Sequence, residues 1–244
     1  MILTLFKKEV FQYFNSATGY ISIGLFLATT WLFCWILPST SFLEYGFAEM
    51  DTFFNIAPYL FLFLIPALTM RLFSEEFKSG IFEFLITKPI NDLQLVLGKF
   101  LSAWFLVLLA LMPTLVYFLS LFQMANPTGN IDISGTLGSY LGLWLLSGVF
   151  CAIGVFCSAI TSNQIVAFIV SLSICYFLYD GLGRLSEITW FSGNTAYFLE
   201  NFSLYSHFKA MGKGVLDSRD LVYFSSFIVF FLFLTKFSLS YKRN

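Results

Sequence analysis

The chain has 244 residues, of which 58% are hydrophobic and only 11% are charged, and its formal net charge is −1. Soluble domains carry roughly 25% charged residues because their surface is solvated. With fewer than half as many, and a mean hydropathy of +0.82, the composition predicts an integral membrane protein. The small net charge excludes the basic field that nucleic-acid binding requires, so we expect no nucleic acid among its partners.

The first predicted element is an amphipathic helix within residues 1–15. Its apolar residues recur at helical spacing and form one stripe: Leu3, Phe6, Val10, Tyr13 and Phe14. Polar residues, including Lys7 and Lys8, lie largely opposite. This pattern favours a helix that lies in the membrane interface, with its lysines toward anionic headgroups.

Residues 16–244 are predicted to form one transmembrane domain of six helices. A helix needs about 20 mostly apolar residues to cross the hydrocarbon core. Six stretches meet or approach that length, at about residues 17–37, 53–70, 93–122, 135–160, 165–179 and 221–239. The fold class is therefore predicted to be an all-α membrane protein.

The connections between the spans carry an unequal charge. Nine lysines and arginines lie before the first span, between the second and third spans, and at the end of the last one. Loops 38–52 and 123–134 hold none, and the long loop 180–220 holds four. Because lysine and arginine concentrate on the cytoplasmic side, both termini and loop 71–95 are predicted to be cytoplasmic, with loop 180–220 outside.

A second amphipathic segment, residues 75–86, lies between the second and third spans. Ser74 precedes it as a candidate N-cap, and two glutamates stand in the first turn, where the helix dipole favours anions. Pro89 follows as a stop signal, and Asn91 can cap the next helix. The sequence predicts a short cytoplasmic helix held between two membrane spans.

The run from Arg71 to Pro89, with its acidic pair, glycine and proline, and the later Gly98-Lys99 pair resemble the same region of ABC type-2 permeases. In that family this loop forms a coupling helix that docks on an ATPase. The resemblance implies a separate ATPase chain in two copies that binds the ATP, a second permease chain that makes a homo- or heterodimer, and the bacterial inner membrane. It implies these ATPase-contact residues: Glu75, Glu76, Phe77, Gly80, Ile81, Glu83 and Phe84.

The stretch from His207 to Phe224 resembles the same region of gliding-motility permeases, and some copper-enzyme maturation permeases share it. The resemblance implies an exporter subunit of a motility complex. A copper-enzyme maturation permease, and a non-transporting subunit that assembles a complex or transmits force, stay open as alternatives. A secondary transporter is disfavoured because no ionisable residue lies near the middle of a predicted span.

The sequence also lacks the motifs of a membrane enzyme. It has no phosphate-binding G-x-x-x-x-G-K-[ST] run and no hydrolase or paired-cysteine motif. The single histidine, His207, has no obvious nucleophile partner, and the four cysteines fall inside apolar runs. We therefore expect no catalytic residue, cofactor or metal ion on this chain. Gly138 and Gly142 match the small-xxx-small pattern of helix contacts, and the aromatic residues of loop 180–220 suit either an interfacial helix or an aromatic belt.

Overall fold

The computed structural model describes residues 2–43, 49–86, 91–187, 193–215 and 217–243, and within these ranges it contains helices and turns but no β-strand. This confirms the predicted all-α class. The helices are α1 (Ile2–Phe14), α2 (Ala17–Trp31), α3 (Asp51–Thr69), α4 (Ser74–Ser79), α5 (Ile81–Ile86), α6 (Asp92–Leu111), α7 (Leu115–Met124), α8 (Ile133–Ile160), α9 (Gln164–Tyr176), α10 (Leu182–Ser186), α11 (Asn194–Asn201), α12 (Leu204–Met211) and α13 (Ser218–Arg243).

Among the described residues, six helical segments are long and apolar enough to cross a membrane, which confirms the predicted number of spans. Short turns of other helix types make them continuous: α6 passes into α7 through a 3₁₀ turn at Met112–Thr114, and α9 passes into α10 through a π turn at Phe177–Gly181. The spans are Ala17–Ile36, Asp51–Ser79, Asp92–Met124, Ile133–Ile160, Gln164–Ser186 and Ser218–Arg243.

Helix α8 forms the centre of the bundle. In the most apolar 18-residue stretch of its span, 83% of the residues are buried inside the chain, against 22% in the corresponding stretches of the spans that contain α2 and α13. It contacts α3, α6, α9, α12 and α13. Gly138 and Gly142 pack within the chain, since added Cβ atoms would meet the Met211 carbonyl and the Phe208 ring of α12. The small-residue pattern thus holds α12 against α8 of the same chain.

The two termini and the segment after the second span meet at one end of the bundle. Lys242 Nζ, near the end of α13, donates to the carbonyl oxygens of Ala159 (2.8 Å) and Ile160 (3.1 Å) at the end of α8. Arg243 forms a 3.0 Å ion pair with Asp92 at the start of α6. We call this end, formed by α1, α4, α5, the start of α6 and the end of α13, the basic end.

The opposite end carries the connections that follow the first, third and fifth spans. Phe42 and Asp132, from two of these connections, line the same cavity. The connection between the fifth and sixth spans contains α11 and α12, where the sequence predicted a loop with aromatic residues. Trp190 and Phe191 of that loop lie outside the described residues. The ring nitrogens of His207 on α12 lie 2.6 Å from Asp220 Oδ1 and 2.9 Å from the Asn201 carbonyl oxygen. The histidine therefore ties α12 to the start of α13.

A tight contact between α3 and α8 yields a stability prediction. A Cβ at Gly154 would lie 2.8 Å from Thr69 Cβ, whereas one at Gly24 on α2 would meet nothing within 4 Å. We expect Gly154→Ala to destabilise the folded protein by roughly 1–3 kcal/mol through overpacking. Gly24→Ala should be neutral or slightly stabilising because alanine has the higher helix propensity. Thermal unfolding of the detergent-solubilised variants measures both; equal melting temperatures would contradict the predicted helix contact.

Candidate coupling site at the basic end

The amphipathic segment between the second and third spans forms two short helices. Helix α4 ends at Gly80, whose φ of +72° lies in the left-handed region that glycine adopts without strain, and α5 starts at Ile81. The prediction of one continuous helix over 75–86 was therefore wrong. Its apolar periodicity continues across residue 80, but the backbone changes direction there.

The start of α4 is held by a side chain from another helix. Ser158 Oγ on α8 accepts hydrogen bonds from the backbone N–H groups of Phe73 (2.9 Å) and Ser74 (3.1 Å). The first N–H groups of a helix have no partner within it, and here α8 supplies one. Ser74 is not the N-cap that the sequence predicted: Phe73 takes that position, and the Ser74 hydroxyl bonds to Ser158 instead.

The first turn of α6 has the cap residue that the sequence predicted. Asn91 occupies the N-cap position in extended conformation, but its side chain makes no cap hydrogen bond. Its backbone carbonyl instead accepts from Gln94 and Leu95. Pro89, the predicted stop signal, lies outside the described residues.

The centre of the site is a buried lysine on α6. Lys99 is 1% exposed, and its ammonium group lies 2.8 Å from Glu76 Oε1 on α4 and 3.1 Å from Glu9 Oε1 on α1. It also donates to the Leu72 carbonyl oxygen at 2.6 Å. An ammonium group has three donors, and these three acceptors match them. One side chain thereby joins α1, α4 and α6.

Lys8 adds an outer cation to this group. Its Nζ lies 3.6 Å from Glu9 Oε1 and 3.7 Å from Glu76 Oε1, and its side chain is 50% exposed. We call Lys8, Glu9, Glu76 and Lys99 the lysine–glutamate cluster. Two cations balance two carboxylates, so the cluster as a whole is neutral, and the half-exposed Lys8 compensates the second buried carboxylate.

The N-terminal helix packs through a face that shares only Tyr13 with the predicted apolar stripe. Leu5, Glu9 and Tyr13 are the buried residues of α1, which packs against α6. An added Cβ at Gly98 of α6 would lie 2.9 Å from Leu5 Cβ, so the two helices touch there. Leu3, which belongs to the predicted apolar stripe, is 65% exposed. It therefore faces away from the bundle.

Tyr13 is the last buried residue on this face of α1. Its hydroxyl donates to the Leu68 carbonyl oxygen at the end of α3. Burial raises the pKa of the Tyr13 phenol well above its usual range, so the group stays neutral and keeps its donor. Residues 1–15 are thus an integral part of the site, because their helix is attached to α3, α4 and α6.

The structure divides the predicted ATPase-contact residues into two groups. Phe77 and Gly80 are half-buried, and Glu76 is buried against Lys99. The exposed members are Glu75, Ile81, Glu83 and Phe84. Whether any of the seven contacts a partner stays a prediction, but only the exposed group presents whole side chains to one.

Two aromatic rings pack against each other between α4 and α5, next to the exposed residues of these helices. The rings of Phe77 and Phe82 meet edge to face with centroids 4.7 Å apart, and Lys242 Nζ lies 3.9 Å from the Phe77 centroid. Such cation–π contacts attract a cation to the ring face. The last turn of α13 is thereby attached to α4 and α5 as well.

No group of three or more His, Cys, Asp or Glu side chains suited to a metal ion occurs among the residues that the structure describes. The four cysteines, which fall inside apolar runs of the sequence, are free and buried.

One comparison with known proteins identifies a family. A sequence model of the family described as "ABC-2 family transporter protein" matches residues 36–234. This range runs from the end of the first span into the last one, and it includes α4, α5 and Lys99. No curated protein matches the chain.

The lysine–glutamate cluster gives the second prediction. Lys99→Met should destabilise the fold by roughly 3–5 kcal/mol, because it leaves two buried carboxylates without their cation. Lys8→Gln is the matched control, with an expected cost of about 0–1 kcal/mol at its exposed position. Thermal unfolding of the purified variants measures both.

The triple variant Lys99→Met, Glu9→Gln, Glu76→Gln tests the cause of that loss. Removal of both carboxylates should restore much of the lost stability, since no buried charge is then left unpaired. A triple variant no more stable than Lys99→Met would mean that Lys99 acts through packing instead.

Proposed function

The chain belongs to the ABC-2 transporter family and is a transmembrane permease component, and we propose that a separate ATPase chain, present in two copies, drives it from the basic end. ATP would bind to that ATPase and not to this chain. A second permease chain, identical or different, would complete the pathway. The observation that carries this proposal is the exposed face of α5. Helix α4, directly before it, is attached to three membrane helices: to α8 through Ser158, to α6 through Lys99 and to α13 through Lys242.

In the proposed mechanism, the ATPase pushes on α4 and α5, and this movement passes to the membrane helices. The ATPase would contact Glu75, Ile81, Glu83 and Phe84 and displace α4 and α5 when its two copies close. Ser158 and Lys99 attach α4 to α8 and α6, so displacement of α4 would tilt these spans together. Packed helices switch between discrete arrangements more readily than they deform, which suits alternating access. The permease itself would catalyse no covalent step.

The partner surface is tested by removal of one aromatic side chain. Phe84 is 74% exposed on α5, and buried aromatic residues dominate the energy of protein interfaces. Phe84→Ala should weaken binding of the ATPase about tenfold, which corresponds to about 1.4 kcal/mol. Tyr197→Ala, 70% exposed at the opposite end, is the matched control and should bind normally. Co-purification and substrate-dependent ATP hydrolysis report the effect; equal binding by both variants would refute the proposed contact surface.

We further propose that the basic end faces the cytoplasm and that the membrane is the bacterial inner membrane. The support is the excess of lysine and arginine at this end. Ser79 is exposed at the basic end and Lys213 at the opposite one. Cysteines introduced at these positions should react with an impermeant thiol reagent from opposite sides of the membrane, while the buried native cysteines stay silent. Labelling from the same side would contradict this topology.

The proposed biological role is surface gliding, as an exporter subunit of a motility complex. Its support is the resemblance of residues 207–224 to gliding-motility permeases. A strain that lacks this chain should grow normally but lose surface spreading. Normal gliding with loss of a copper enzyme's activity would favour a maturation permease instead. A complex that hydrolyses ATP without any flux would favour force transmission across the membrane.

A further inference from the structure

A cavity lies at the basic end, beside the lysine–glutamate cluster. Its volume is about 410 Å³, it is partly open, and it is bounded by α1, the start of α2, the turn after α3, α4 and single residues of α5 and α6. The lining side chains that matter here are Lys8, Thr18, Arg71, Glu75 and Glu76, and the paired Lys99 also reaches the lining. Cations and carboxylates thus face the same space, although more of its lining surface is apolar than polar.

Two polar atoms of this lining have no hydrogen-bond partner among the described residues. They are Arg71 Nε, a donor, and Glu76 Oε2, an acceptor, and both are shielded from bulk solvent. Native proteins rarely leave buried polar atoms unpaired. The cavity therefore suits a ligand that brings an acceptor for the arginine and a donor for the glutamate.

Arg71 is well placed for an anion. One of its terminal nitrogens donates to Thr18 Oγ1 at 3.2 Å, which orients the guanidinium group. None of the ion pairs formed by the described residues includes Arg71. Guanidinium groups match the geometry of phosphate oxygens, and Lys8 lines the cavity as a second, half-exposed cation.

The cavity lies beside the ends of two candidate spans that meet at the basic end. Thr18 stands at the start of the span Ala17–Ile36, and Arg71 lies in the turn between α3 and α4. Helix α1 beside it exposes Leu3 (65%) and Phe11 (66%), as a helix in the membrane interface does. A lipid headgroup is the phosphate-bearing group that the membrane interface offers to a site beside such a helix.

We propose that this cavity binds the headgroup of phosphatidylethanolamine, with the phosphate on Arg71 and Lys8 and the ammonium group on Glu76 Oε2 and Glu75. A zwitterion supplies an acceptor for Arg71 and a donor for Glu76 Oε2, whereas an anionic headgroup without an N–H leaves Glu76 Oε2 without a charged donor. The choline headgroup has the same charges but no N–H, so it gives Glu76 Oε2 no hydrogen bond. The bound lipid would join α1 to α4. This inference does not require the ATPase or the transported molecule, although Glu75 also belongs to the proposed ATPase surface.

The test compares three lipids of identical acyl chains on the delipidated, detergent-purified protein. Phosphatidylethanolamine should raise the melting temperature and remain as one bound lipid in native mass spectrometry. Phosphatidylcholine and phosphatidylglycerol should bind at least about tenfold more weakly. Equal effects of the three lipids would overturn the proposal. Soluble phosphoethanolamine is a further arm: if it stabilises the protein as well as the lipid does, the ligand is a soluble phosphate compound and the lipid assignment is wrong.

Point variants test whether the preference for phosphatidylethanolamine depends on this cavity. Arg71→Gln should lose the preference for phosphatidylethanolamine, and Glu75→Gln, at an exposed position on the cavity rim, should reduce it. Lys78→Gln is the control, since Lys78 is exposed on α4 outside this lining, and it should keep the preference. If Arg71→Gln fails to fold, Glu75→Gln decides. An unchanged preference in every cavity variant that folds would refute this site.

Discussion

The burial of one ammonium group determines the arrangement of the basic end. Removing Lys99 from water is costly unless its donors are matched and its charge is balanced. The matching acceptors come from Glu9 on α1, Glu76 on α4 and the Leu72 carbonyl in the turn after α3. None of these segments can move away alone without leaving part of the group unpaired. The requirement to satisfy Lys99 therefore fixes the N-terminal helix α1, the segment after α3 and the membrane span that contains α6 relative to one another.

Helix α4 is also fixed at its N-terminus, and the two attachments differ in kind. Ser158 gives α4 a neutral hydrogen-bonded connection to the central helix α8, and Lys99 gives it an ionic connection to α6. A segment attached at two points moves as a body with the helices that hold it. The site is consequently suited to pass a displacement into the core of the bundle, which a flexible polar loop would absorb.

Much of the fold could be predicted from the sequence, because lipid imposes a simple pattern of apolar length. The Lys99 pairing could not, since Glu9 and Lys99 are 90 positions apart and no periodicity connects them. One signal was present: Glu9 lies four residues after Leu5 and four before Tyr13, so it belongs to one helical face with two large apolar residues. The capping of α4 was missed for a similar reason. Cap patterns look for a side chain beside the helix in sequence, and here the hydroxyl comes from Ser158, 84 positions beyond Ser74.

The break at Gly80 explains how one short segment can face both inward and outward. Glu83 follows Glu76 by seven residues, about two turns at 3.6 residues per turn, so a straight helix would direct both carboxylates to the same face. In the structure Glu76 is buried and Glu83 is exposed. The left-handed conformation at Gly80 turns the chain, so that Phe82 packs on Phe77 while Glu83 and Phe84 reach the surface. Any residue with a Cβ at position 80 would be strained in this conformation. The glycine thus lets α4 keep its ion pair with Lys99 while α5 presents a separate surface for contact.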